Sequence, residues 1–177
     1  MSKLLKKAEG TFSFAAILSV ALLSGPSDVW AQQKKAGGLK QQITGTWSLV
    51  AQYVEQGDKK VERFGPNPKG TAIFEQNGRF ASILLSPDIP KFASNNAMTG
   101  TAEENKAVVQ RSTAFYGKWF VNEKDNSMST HIEGSTFPNW DGQDQKRTAT
   151  VSGDEMKLCV PSSQIGGNAC SVWKRIK

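Results

Sequence analysis

From Ile43 to the C-terminus the chain is cut into short extended runs by turn chemistry, and only one stretch breaks the pattern. TGTWSLVAQYV (44–54) sets Trp47, Leu49, Ala51 and Tyr53 on one face and Thr46, Ser48, Val50 and Gln52 on the other. A period of two is what a strand with one buried face requires. EQGDKK is a turn, and Val61 to Phe64 is short and extended. GPNPKG (65–70) is a rigid loop, because its two prolines exclude helix. GTAIFE (70–75) and RFASILL (79–85) flank Asn77-Gly78, residues that accept the backbone of a tight hairpin turn. SPDIPKFASNNAMTG (86–100) is a long loop. Thr101 and Glu104 then form a capping-box pair ahead of good helix formers. The apolar face of that helix (Ala107, Val108, Ala114) is thin, so it is expected to cover something rather than build a core. Strands resume with FYGKWFV (115–121), SMSTHIE (127–133), QKRTATV (145–151), EMKLCV (155–160) and ACSVWKRI (169–176).

About eight or nine short strands with one helix predict an all-β sandwich or barrel. Closure into a barrel removes the exposed edges. A barrel of about eight strands has an interior that side chains fill or that holds one small ligand.

The first residues carry different signals. Lys3, Lys6 and Lys7 precede a 14-residue apolar run, Phe12 to Gly25, and Val29-Trp30-Ala31 ends in a small residue. These are the parts of a secretory signal peptide over residues 1–31, and the run is too short to span a membrane. Residues 32–42, rich in Gln and Gly with Lys34, Lys35 and Lys40, are expected to be a disordered leader. The domain is then expected over 43–177, exported to the periplasm or beyond, with no membrane segment once the signal is removed. The net charge of +6 is scattered, with no basic run interleaved with aromatics, which points away from nucleic acid. Cys159 and Cys170 are the only cysteines. In an exported chain an even pair suggests a disulfide. A hairpin turning inside PSSQIGGN sets Cys159 opposite Cys170 and Met156 opposite Trp173. Two buried free thiols are the alternative.

His131 is the only histidine. In HIEGSTFPNW (131–140) it precedes Glu133 by two residues, which places both on one face of a strand. One reading is a general acid/base pair or a polar centre in a ligand pocket; the other is a histidine satisfied by its neighbours. Periodicity leaves both open, because neither face of SMSTHIE is strongly apolar. Phe137 and Trp140, on a Pro-Asn turn, are candidates to cap a barrel mouth. Tyr53, on the Trp47 face, and Trp119 are candidate ligand contacts. No P-loop, GxGxxG after a strand, HExxH, GxSxG or CxxC occurs. No cofactor and no metal site is therefore expected.

Gly45-Thr46-Trp47 opening the first strand, with a basic residue on the last, resembles the lipocalin (calycin) pattern. In that family the tryptophan closes the barrel base and an Arg or Lys packs on its ring. The matching positions are Trp47 and, in VWKRI, Arg175 or Lys174; parity with Trp173 favours Arg175. More of the chain resembles a bacterial and fungal lipocalin-like domain family, through GTWSLV, FGPNPKG, PDIPKFAS, TAEEN, FYGKW, HIEGSTFPNW and SVWKRI, in order from Gly45 to Ile176. The resemblance implies a single antiparallel up-and-down lipocalin-like barrel of about eight strands with one short helix. Because His131, Glu133 and the FPNW run occur together in it, His131 and Glu133 are expected to face the interior.

The function expected from these features is the binding of a small apolar or amphipathic molecule inside the barrel. One alternative is a cofactor-independent isomerase, cyclase or hydratase using His131 and Glu133. The other is an envelope interaction module, such as an inhibitor, presenting loops 86–100 and 134–142.

Overall fold

The computed structural model describes residues 37–161, 163 and 166–177. The expected signal peptide, and the leader as far as residue 36, lie outside the described residues. A one-turn helix, α1 (Leu39–Ile43), leads into β1 (Gly45–Gln56), β2 (Lys59–Glu62), β3 (Lys69–Phe74) and β4 (Arg79–Leu85). After α2 (Ala102–Arg111) come β5 (Ser112–Asn122) and β6 (Ser127–Ser135). A 3-10 turn at Pro138–Trp140 precedes β7 (Asp144–Ser152), β8 (Glu155–Val160) and β9 (Asn168–Arg175).

From β3 to β9 each strand pairs with the next, and β1 pairs with both β3 and β9, closing the sheet on itself. All pairings are antiparallel. The result is the expected up-and-down barrel of eight strands, with β2 as an extra strand beside the second half of β1. The hairpin at Asn77-Gly78 forms as read, with Gly78 at φ 88° and the Asn77 side chain accepting from the Arg79 amide at 2.8 Å. Thr101 and Glu104 form both halves of their capping box. α2 buries none of its residues, so it covers rather than supports.

The core lies inside the ring. Trp47, Leu49, Phe74, Phe80, Trp119, Met128, Ile132, Met156, Leu158 and Trp173 form one buried cluster. Burying an apolar side chain of this kind stabilises by roughly 1.5–3 kcal/mol.

One end of the barrel is stopped. Leu39 and Ile43, one helical turn apart on α1, are 7% and 0% exposed and join the core. Trp47 donates its indole N–H to the Ile43 carbonyl at 2.8 Å. The Arg175 guanidinium lies 4.0 Å from the centre of the Trp47 ring and donates to the carbonyls of Thr44 and Gln42. Gly45 has φ 133°, and a Cβ there would sit 2.8 Å from Arg175 Nη1. Only glycine accepts both conditions. The Glu123 carboxylate accepts from the backbone N–H groups of Leu39 and Lys40 at 2.7 and 3.0 Å. This corrects the expectation of a disordered leader running to residue 42: residues 39–42 are part of the stopper. The i, i+4 pair Leu39 and Ile43 was its only sequence signal.

A β-bulge between Leu49 and Ala51 corrects a second expectation. Trp47 and Leu49 point inward as read, but the extra residue reverses the alternation. Gln52 then faces inward, and Tyr53 packs with Cys159 and Cys170 instead. Those cysteines are joined, opposite one another on β8 and β9 as expected. They alternate with the inward residues Leu158 and Ser171. Tyr53 lies against the disulfide, with Lys60 and Lys157 ammonium groups 4.8 and 5.6 Å from its ring centre.

Candidate ligand-binding site

The other end of the barrel is hollow. A cavity of about 360 Å³ opens among the connections that follow β2, β4, β6 and β8. Its depth is lined by Phe74, Phe80, Met128, Leu158 and Trp173, and nearer the loops by Leu84, Val109, Phe115, Phe137 and Trp140. Rings run through it in sequence. Phe74 meets Phe80 at 6.0 Å, Phe80 meets Phe115 at 5.8 Å, Phe115 meets Trp140 at 5.5 Å, and Trp140 meets Phe137 at 5.6 Å between centroids. All but the first are edge-to-face, the arrangement the ring quadrupole favours. Alternation builds this wall: Phe80, Ser82 and Leu84 of β4, and Thr113 and Phe115 of β5, are inward positions.

Polar groups interrupt the apolar surface at a few points. Ser82, Thr130 and Ser171 are buried hydroxyls on its wall. Gln52 is 7% exposed, and its Oε1 has no hydrogen-bond partner among the described residues. Gln145 and Arg147 reach inward from β7, and Arg63 borders the cavity from beyond β2. Arg63 stacks on Phe64 at 4.8 Å, and burial lowers its pKa.

His131 and Glu133 are not in the site. Met128, Thr130 and Ile132 take the inward positions of β6, each 0–1% exposed, so the expected inward orientation is reversed. His131 faces out, with Nδ1 2.8 Å from Asp144 Oδ1 and its side chain 42% exposed. Glu133 pairs with Arg79 at 2.7 Å. That Arg79 hydrogen bond, aided by the charges of Arg79 and Lys118, holds the Glu133 carboxyl below its usual range. Each residue has its own partner on the outer wall, so they do not form an acid/base pair over the cavity.

The remaining candidates divide. Phe137 and Trp140 line the cavity, the 3-10 turn bringing both rings to its mouth. Tyr53 is outside, for the reason given by the bulge. Trp119 belongs to the stopped end: it is 1% exposed, meets Phe74 edge-on at 5.3 Å and donates its indole N–H to the Glu75 carbonyl at 2.9 Å. Lys40 lies 5.9 Å from its ring centre. Phe115, Gln52, Arg63 and Arg147 also line the cavity, although none is a ligand contact expected from the sequence. For Arg147 the alternation of QKRTATV carried the signal, since Gln145, Arg147, Ala149 and Val151 share one face.

No group of three or more potential metal ligands occurs among the described residues. No helix among them is long and apolar enough to cross a membrane.

A closed antiparallel barrel, stopped at one end and hollow at the other, is the architecture of a barrel-type binding protein. Residues 44–176 match the model of the lipocalin-like domain family, and the chain belongs to that family. A 4'-hydroxy-3'-methoxypropiophenone carrier protein from Aspergillus oryzae is 25% identical over 81 residues, which cover 42% of this chain and 73% of that protein. The crystal structure of a lipocalin-like protein from Bacteroides uniformis superposes with a TM-score of 0.41 at 16% identity, covering 76% of this chain and 99% of the other.

Proposed function

We propose that this is an exported binding protein that holds one small amphipathic molecule, with an aromatic or other apolar body, inside the barrel. The observation that carries this is the run of ring contacts from Phe74 to Phe137, all but the first edge-to-face, along a cavity of about 360 Å³. That volume falls in the range of small-molecule sites, and an apolar wall with few polar groups is their usual make-up. The unpartnered Oε1 of Gln52 supports a guest with a hydrogen-bond donor, because a buried acceptor left unsatisfied is costly. The name of the Aspergillus relative, a carrier of an aryl ketone bearing a hydroxyl, agrees with a guest of this kind. Export is supported by the residue pattern of 1–31 and by the Cys159–Cys170 disulfide, a bond that persists in oxidising compartments.

Titration with N-phenyl-1-naphthylamine, a neutral two-ring fluorophore that brightens in apolar surroundings, tests the reading. Saturable 1:1 binding is expected, weakened about tenfold by Phe115→Ala through loss of the central ring contacts. Absence of saturable binding by the folded protein overturns it. N-terminal sequencing of the exported chain is expected to begin at Gln32.

A further inference from the structure

Arg147 is a cation built into the wall of the cavity without an anion to meet it among the described residues. It takes an inward position on β7, its register partner across β6 is Met128, and it lines the cavity. Its Nη2 donates to Gln145 Oε1 at 2.6 Å, and its guanidinium carbon lies 5.5 Å from the centre of the Phe115 ring. No carboxylate pairs with it among the described residues. The ion pairs there join Arg79 to Glu133, His131 to Asp144, Lys146 to Asp125, Lys157 to Glu55, and Lys177 to Asp154. Arg63, the second guanidinium on the cavity, is in none of them either. Asp144, the one acid on the lining among the described residues, is 80% exposed and turned to His131.

We propose that the bound molecule carries an oxyanion head group, of the carboxylate or sulfonate type, and that Arg147 is its counter-ion, with Arg63 adding to the positive field. This rests on the binding reading above and narrows it to an amphipathic anion. Arg147 is half-buried on the cavity wall; its guanidinium stays charged there, and a partly desolvated charge without a partner is unfavourable. Burial pushes the Arg147 pKa down to about 10, which still leaves it charged at neutral pH. Gln145 holds one edge of the planar fork through Nη2. Nη1 and Nε make no hydrogen bond to the protein among the described residues. They remain as donors for an oxygen pair, the geometry in which arginine binds oxyanions. Phe115 places an apolar ring beside the charge, so head group and body of one guest meet adjacent surfaces.

A matched pair of probes separates the two readings. 1-Anilinonaphthalene-8-sulfonate has the same ring body as N-phenyl-1-naphthylamine and adds one sulfonate. The wild-type protein is expected to bind the sulfonate at least about tenfold more tightly. Arg147→Met is expected to lose that preference, so that the two probes bind it with similar affinity, and Arg147→Lys to keep part of it. Lys118→Met, which removes an exposed outer-wall charge, is expected to change neither affinity. Urea midpoints report whether each variant is folded. If Arg147→Met does not fold, the wild-type comparison and Arg147→Lys decide. Equal affinities for the two probes, or a sulfonate preference that Lys118→Met reduces as much as Arg147→Met does, overturn the anion assignment and leave barrel binding standing. Failure of both probes to bind overturns both readings.

Discussion

Arg175 is held by three groups at once: the Trp47 ring and the carbonyls of Thr44 and Gln42. Replacing it by alanine removes a cation–π contact and leaves two carbonyls and an indole face without their partner. A loss of about 2–4 kcal/mol is expected in urea unfolding, whereas Lys174→Ala, on the exposed neighbour, is expected to cost almost nothing. His131 makes the opposite case. Its one polar partner among the described residues is an exposed aspartate, so His131→Ala is expected to leave probe affinity and melting temperature close to wild type. A large loss of probe affinity would put His131 back in the site. SMSTHIE itself does not mark which face is inward. The inward face carries Thr130 between Met128 and Ile132, and the outward face is all polar, so the contrast between faces is weak. Charged side chains are rarely buried without partners, and that rule weighed more than the grouping of His131 with FPNW. Gln52 and Tyr53 were misassigned for a different reason. A single bulged residue reverses every later position of a strand, and nothing in TGTWSLVAQYV marks where it falls.

At the scale of elements, α1 acts as a plug. Leu39 and Ile43 enter the core, and Glu123 fastens the helix start. A chain beginning at Gly45 is expected to lose roughly 3–5 kcal/mol relative to one beginning at residue 37, from the two buried side chains and the uncovered Trp47. The Glu123 attachment also has a pH signature. Hydrogen bonds from the backbone of Lys40 and Leu39 lower its pKa below the ordinary 4.5. A depressed carboxyl stabilises above its unfolded value, and the effect is lost as pH falls through the folded value. The stability difference between wild type and Glu123→Gln is therefore expected to be full at neutral pH and to vanish in acid. Urea midpoints from about pH 7 down to about pH 3 measure it. The disulfide joins neighbouring strands beneath Tyr53. Replacing both cysteines by serine is expected to cost about 2–3 kcal/mol, because the loop it closes is short, without opening the barrel. Free-thiol titration of denatured, unreduced protein is expected to find none.

At the scale of the molecule, the barrel was legible because alternation and turn residues agree at nearly every strand, and agreement between levels is what makes a fold readable. The stopped end was legible in part, through Gly45, Trp47 and Arg175. The hollow end was not, because a cavity is what side chains from many strands fail to fill, and no local pattern records a shortfall summed around a ring. Export, by contrast, is a proposal supported by the pattern of residues 1–31 and by the disulfide, and it is tested by where the mature chain begins. The plug has one more consequence. A vessel corked below has a single doorway, shared by whatever arrives and whatever departs. An incoming molecule cannot push its predecessor out through the far side; it waits in the queue. The departure rate of a held fluorophore is then independent of how much competitor stands outside, and exchange proceeds strictly one visitor at a time.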